Sequence, residues 1–311
     1  MLPVVQSILP PITVLMTLMV LGLTLGRFKI LGREFNRGLN FLLLKVTLPC
    51  LILVSMQKPF SAALAALGAW AFGLSLLLYT ALLVFSLVLF RWAAIDPEKK
   101  GIYRFVVMFS NVGFMGFPLM EALWGRDAVF LGAMFNINFN LFCFSAGIWL
   151  LTRHRGHGGF PVRQIVGNPA LWATVAGFVL FLFSVALPPV AYKLVDTLGS
   201  LTTPLSMILV GSLLAQSSLR TAWKGRGIWL LSALRLVVIP VAVWAVLLPW
   251  HLPVEVTRMA VLIAAMPAAA NASLLAAEHT GRPEVAGQAV FVTTALSFLT
   301  IPAVVIVLGL S

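Results

Sequence analysis

The chain is a succession of apolar runs, each about as long as a bilayer crossing, separated by short polar breaks. A helix needs roughly 20 mostly apolar residues to span a hydrocarbon core about 30 Å thick. Reading runs against breaks gives spans at 8–26, 38–56, 62–90, 103–121, 127–152, 168–187, 198–216, 228–248, 257–278 and 285–309. Ten such spans occupy about 200 of the 311 residues and leave only short loops. Hydrophobic residues make up 61% of the chain and charged ones 10%, against about 45–50% and 25% in soluble domains. In water such a chain would expose large apolar patches, which excludes a soluble enzyme and a receptor with a large folded ectodomain. The expected class is an all-α integral membrane protein of ten transmembrane helices. The 62–90 run is long for one crossing and should tilt or extend beyond the hydrocarbon. Met1 to Ser7 contain no Lys or Arg, so the first run lacks the basic flank of a secretory signal and reads as a retained helix.

The net charge of +12 is explained by sidedness. Alternate loops carry Arg27, Lys29, Arg33 and Arg37, then Arg91, Lys99, Lys100 and Arg104. Arg153, Arg155, Arg163, Arg220, Lys224, Arg226 and Arg282 complete that set of 15. The opposite loops hold only four cations: Lys58, Arg126, Lys193 and Arg258. Positive residues favour the cytoplasmic side, so both termini are expected outside; the lack of long eukaryote-style extensions favours a bacterial inner membrane, where that side is the periplasm. The basic excess then reflects topology and the lipid rim, and no nucleic-acid partner is inferred.

The two halves of the chain echo one another. Val20-Leu21-Gly22 matches Val175-Ala176-Gly177 and Pro49 matches Pro204, both at an offset of 155. Gly125-Arg126-Asp127-Ala128-Val129 matches Gly281-Arg282-Pro283-Glu284-Val285 at 156. The offset divides the chain into residues 1–155 and 156–311 with five spans each. Five is odd, so the second copy must insert upside down. Inverted repeats are a signature of secondary transporters.

The fourth and ninth runs correspond under this offset, and each is broken in its middle. One reads Ser110-Asn111-Val112-Gly113-Phe114-Met115-Gly116-Phe117-Pro118, the other Met266-Pro267-Ala268-Ala269-Ala270-Asn271-Ala272-Ser273. Asn111 and Pro267 each lie 14 residues before their closing glycine. Gly costs about 1 kcal/mol in a helix interior and Pro about 3, so Gly116, Pro118 and Pro267 mark helix breaks. Freed backbone groups at membrane depth must face protein or a wet cavity. Half-helix N-termini in such a cavity offer N–H groups and positive dipole ends to an anion. Bending or close packing is the alternative role for these residues. For Pro49, Pro204, Pro240 and Pro302 a plain kink is expected.

These residues resemble the auxin efflux carrier family, which includes plant PIN auxin exporters and bacterial permeases for malonate or malate. The resemblance runs through Leu48-Pro49, Asn111 to Pro118, Asn168-Pro169, Pro204 to Gly211, Arg235 to Pro240, Met266-Pro267 and the stretch from Thr293 to Pro302. It implies two inverted five-helix repeats of the bile-acid-symporter or NhaA type, with helices four and nine crossing at the substrate. Helices one, two, six and seven would form a scaffold and homodimer interface, and helices three to five and eight to ten a moving transport domain. Asn111 matches the helix-four asparagine that meets the substrate carboxylate in the plant exporters. Ala268 to Asn271 depart from the plant pattern, so a small organic acid is inferred rather than auxin itself.

Substrate contacts are expected from Asn111, Asn271, Ser110, Gly113, Asn136 and Asn140. An amide binds a carboxylate without burying a charge at the bilayer centre. The competing role for Asn111 and Asn271 is capping of half-helices, and for Asn136, Asn138 and Asn140 polar glue between helices. Hydroxyl back-bonding is expected for Ser110, Thr293, Thr294 and Ser297. Lys45 and Arg235 lie inside spans; Lys45 is expected to snorkel, with an electrostatic role near an anion path as the further possibility for both. Glu121 and Glu278 read as solvated helix ends. His154, His157, His251 and His279 form no metal-ligand pattern, Cys50 and Cys143 read as small hydrophobes, and no cofactor is implied. Three functions stand: an elevator-type carrier of small carboxylates, a sodium-coupled symporter of the bile-acid type, and a non-transporting membrane enzyme or sensor.

Overall fold

The computed structural model describes residues 2–153, 166–216, 225–280 and 282–309, with side chains throughout except at 2–9, 274 and 283. His154, His157, Arg155, Arg163, Arg220 and Lys224 lie outside the described residues. Regular structure among the described residues is helical, and the one extended feature is an isolated antiparallel bridge between Ser110 and Ala268. The helices are α1 (Leu2–Arg27), α2 (Arg33–Leu42), α3 (Leu48–Ser55), α4 (Ala62–Leu89), α5 (Pro97–Met108), α6 (Phe117–Phe142) and α7 (Ile148–Thr152). They continue as α8 (Pro169–Leu182), α9 (Pro189–Ser200), α10 (Thr202–Gln216), α11 (Arg226–Ala233) and α12 (Ile239–Leu247). The last are α13 (Val254–Ala265), α14 (Ala272–His279) and α15 (Pro283–Val307).

Among the described residues, seven continuous helical stretches are long and apolar enough to cross a membrane. One of them, Val112–Thr152, has 41 residues, about 60 Å at 1.5 Å per residue and twice a hydrocarbon core. Gly125 divides it with φ 72°, ψ −165°, a conformation that glycine adopts without a Cβ clash. The sequence places a boundary at the same glycine. Bulky apolar side chains such as Trp70, Leu77, Val84 and Val88 on α4 and Trp172 and Val179 on α8 stay exposed. These rows are the faces a bilayer would cover.

Two expected boundaries shift. The span drawn over 168–187 is helical only to Leu182, and Ser184 follows in a left-handed conformation (φ 52°). Pro189 then starts α9, nine residues before the run drawn from 198. Proline fits the first turn of a helix because that N–H has no intrahelical partner; hydrophobicity alone does not carry this signal.

Three of the prolines do more than kink. Leu48, Phe117 and Ile239, each just before a proline, donate their N–H to the carbonyl five residues back, at Leu43, Val112 and Leu234. The turns Leu43–Thr47, Val112–Gly116 and Leu234–Val238 are therefore widened to π geometry. A proline ring clashes with the carbonyl four residues earlier, and a wider turn moves that carbonyl aside.

α1 packs most extensively on α10, and the contact is between backbones. A Cβ at Gly22 would lie 2.1 Å from the Ile208 carbonyl oxygen, and one at Gly211 would lie 1.9 Å from that of Met19. Small residues permit such close crossings in membranes, where burial against lipid gives no hydrophobic gain. Gly22→Val and Gly211→Val should each destabilise the fold by about 1–3 kcal/mol, the usual cost of overpacking. Gly73→Ala, where a Cβ meets nothing within 4 Å, should leave the melting temperature of detergent-purified protein unchanged or raise it.

Candidate functional site

The site forms where two helices stop short. α5 ends at Met108 and Phe109 is extended (φ −109°, ψ 120°). α13 ends at Ala265 and Met266 is extended (φ −64°, ψ 148°). The two unwound segments run antiparallel and bond to each other. Asn111 N–H donates to the Pro267 carbonyl at 2.8 Å, and Ala269 N–H donates to the Phe109 carbonyl at 3.0 Å. Ala268 N–H donates to the Thr293 hydroxyl at 3.1 Å, and that hydroxyl donates to the Ala289 carbonyl at 2.7 Å. The freed backbone is thus largely satisfied by protein, as it must be away from water.

Arg235 lies against this crossing. It is 1% exposed and donates to the Val107 carbonyl at 2.9 Å, Met266 at 3.2 Å and Ile263 at 3.4 Å. These carbonyls close the two arriving half-helices. A helix C-terminus carries about −0.5 of an elementary charge, so two of them roughly balance one guanidinium. Its widened turn, Leu234–Val238, sits just ahead of Pro240.

A cavity of about 220 Å³ lies beside the departing segments. It is smaller than the roughly 300–1,000 Å³ typical of drug-sized ligand sites. Of the expected contact residues, Ser110, Asn111, Gly113, Asn136, Asn140 and Asn271 all line it, as does Lys45. Gly116, Pro118, Pro267 and Arg235 do not; their place is in the breaks and the clamp. Asn168, which the sequence reading used only to mark the second half, also lines the wall. Its side chain accepts from Ala170 N–H at 3.0 Å and donates to Asn140 Oδ1 at 2.7 Å. An asparagine directly before a helix-starting proline was the available signal.

The asparagines divide by helical face. Asn136 and Asn140 share a face of α6 and reach the cavity. Asn138, on another face, donates to the Phe72 carbonyl at 2.8 Å and the Ser75 hydroxyl at 2.7 Å, tying α6 to α4. Asn111 fills the capping role considered for it and lines the cavity. Its Oδ1 accepts from Phe114 N–H at 3.3 Å, capping the departing half-helix, while Nδ2 has no acceptor among the described residues. Asn271 makes no side-chain cap. Its Nδ2 lies 3.7 Å from the Cys143 sulfur and its Oδ1 is buried without a partner. Turning that amide by 180° would let Oδ1 accept from the thiol and free Nδ2 as a donor. A Cβ on Gly113 would meet nothing within 4 Å.

Among the described residues, no acidic side chain lines the cavity, and Lys45 is the one formal charge in its lining. Lys45 is exposed and donates to the Gly167 carbonyl at 3.3 Å, so it stands at the mouth. Glu121 is not simply solvated, since it accepts from the Thr203 hydroxyl at 2.6 Å. Glu278 lies 3.9 Å from His279 at the end of α14. Cys50 and Cys143 are both free thiols.

A family described as membrane transport protein matches residues 7–158 and 154–305. An uncharacterized transporter of Methanothermobacter thermautotrophicus is 27% identical over 294 residues, covering 92% of this chain and 94% of that protein. The uncharacterized transporter YfdV of Escherichia coli is 23% identical over 281 residues, covering 84% and 85%.

The clamp can be tested by stability alone. Arg235→Met should cost about 3–5 kcal/mol, as breaking a buried charged network does, and Arg235→Lys should recover part of this because one ammonium cannot span three carbonyls. The exposed Arg27→Gln should change stability by less than about 0.5 kcal/mol. Thermal melting of the purified variants reads all three, and wild-type melting of Arg235→Met would refute the clamp.

Proposed function

The chain belongs to the membrane transport protein family that includes the auxin efflux carriers, and from that premise we propose that it carries small organic acid anions by elevator-type alternating access. The observation that supports this most is the cavity at the crossing of two broken helices, walled by amides and free of acidic side chains. Half-helix N-termini at about +0.5 of a charge each and the amide donors suit a carboxylate, and Lys45 would draw it in at the mouth. The small cavity favours a mono- or dicarboxylate such as malonate or malate.

The ten-helix inverted repeat belongs to the same proposal. The seven long stretches, the division of one of them at Gly125, the short α8 and the α13–α14 pair together provide ten crossings. The antiparallel pairing of the two breaks agrees with opposed repeats, because Asn111 bonds to Pro267, the residue the offset equates with it. In this reading the cavity opens toward the basic, cytoplasmic side. Opening it the other way would part Arg126 from Asp196 and Tyr192, Lys58 from Asp127, and Glu121 from Thr203. A scaffold that dimerises, a bacterial inner membrane and periplasmic termini complete the proposal.

At about 100 mV negative inside, export of one negative charge gains about 2.3 kcal/mol, so an uncoupled carrier would favour efflux. Proteoliposomes loaded with labelled dicarboxylates or indole-3-acetate, with and without proton and sodium gradients, test substrate and coupling together. Asn111→Ala should reduce carboxylate flux at least about tenfold, since a hydrogen bond to a charged group contributes roughly 1.5–3 kcal/mol. Gly113→Ala should reduce flux while leaving the melting temperature intact. A response confined to a sodium jump would favour the sodium-coupled symporter. Absence of flux for every carboxylate, or flux indifferent to Asn111→Ala, would overturn the assignment, and ligand-dependent signalling without flux would favour a sensor.

A further inference from the structure

A second hollow lies away from the crossing, between the end of α4, the start of α5 and the end of α7. Its volume is about 290 Å³, and Arg91, Lys100, Arg104 and Arg153 all line it with no acidic side chain. Sidedness accounts for cations in these loops, but not for four of them around one hollow. The packing that brings them together is tight. A Cβ on Gly101 would lie 2.5 Å from the Leu150 carbonyl oxygen, so α5 and α7 meet backbone to backbone beneath the cluster.

Arg104 is the built element. It is 7% exposed, and its Nε and Nη2 donate to the Ser86 and Leu87 carbonyls at 3.4 and 3.3 Å. Nη1 has no acceptor among the described residues. Arg104 and Arg153 repel one another. Asp96 and Glu98 pair with Arg282 at 3.3 and 3.7 Å and do not line the hollow. Clustered guanidinium forks with open donors match the oxygens of a phosphate.

The geometry points to a binding site for the phosphate of an anionic phospholipid. Two aromatic residues argue for the lipid over a soluble phosphate. Arg91 lies over the Trp92 ring at 5.4 Å and Arg153 over Trp149 at 4.7 Å, and Trp92 is 80% exposed. Tryptophans so placed mark the headgroup level of a bilayer, where basic pockets between helices take anionic headgroups.

Native mass spectrometry of the full chain in detergent, titrated with phosphatidylglycerol and phosphatidylcholine, tests the site. Phosphatidylglycerol should bind preferentially, and Arg91→Gln and Arg153→Gln should each weaken it about fivefold. Arg104→Lys keeps the charge but loses the fork and should also weaken it, while Arg33→Gln and Arg37→Gln, on the same basic side, should leave the preference intact. Inorganic phosphate should fail to displace the lipid. An undiminished preference in the Arg91 and Arg153 variants, equal loss in the Arg33 and Arg37 controls, or displacement by inorganic phosphate would each overturn the proposal. The readout is bound lipid, so its failure leaves the transport reading untouched.

Discussion

Two helices that end in the interior of a membrane protein present four poles, and those poles must be compensated without water. The structure separates them by sign. The negative ends of α5 and α13 converge on Arg235, which no carboxylate accompanies among its hydrogen-bond partners. The positive ends of the departing segments are left for the cavity. A buried arginine is costly when unpaired, yet here the carbonyl dipoles roughly match its charge. Removing this balance would leave two negative helix ends in a low-dielectric setting, close to the place where an anion is proposed to bind. The polarity of the cavity therefore depends on a residue that never touches it.

The clamp and the mouth share a local device. Lys45 and Arg235 both lie within π turns set up by a downstream proline, Pro49 and Pro240. A π turn inserts a residue into the helical register, so a side chain within it is directed differently from one in an unbroken helix. This explains why a helical count from the sequence could locate both cations inside spans but not say where they point. Lys45, expected to snorkel, bonds the chain entering α8, and Arg235, considered for the anion path, binds the ends of the arriving half-helices and does not line the cavity.

What the sequence revealed follows the same division. Features written in backbone chemistry were legible: the glycine that divides Val112–Thr152 and the two breaks, because glycine and proline act on their own few residues. The faces of α6 were legible too, since Asn136 and Asn140 repeat at helical spacing and Asn138 does not. Features that depend on long-range partners were not. Nothing near residue 235 announces Val107, and nothing near Gly211 announces Met19. The Pro189 helix start was missed because a hydropathy reading gives proline no special weight.

The chemistry of the cavity wall bears on how a carrier differs from a receptor. A receptor gains from a full buried charge opposite its ligand, whereas a carrier must release its guest after each crossing. Amides and helix poles provide donors of intermediate strength, without the large desolvation penalty of a buried cation left empty on the return. Lys45, the one full charge among the described lining residues, sits at the exposed rim, where solvent screens it and attraction can assist capture without fixing the guest in place. For the proposed carboxylate carrier this distribution has a consequence: strength of binding and specificity come from the geometry of Asn111, Asn271 and the open helix turn, and that geometry is held from behind by Arg235 and Thr293. The backbone bonds Asn111–Pro267 and Ala269–Phe109 hold the two crossed segments to each other, whereas the Asn168–Asn140 bond ties the wall to α8.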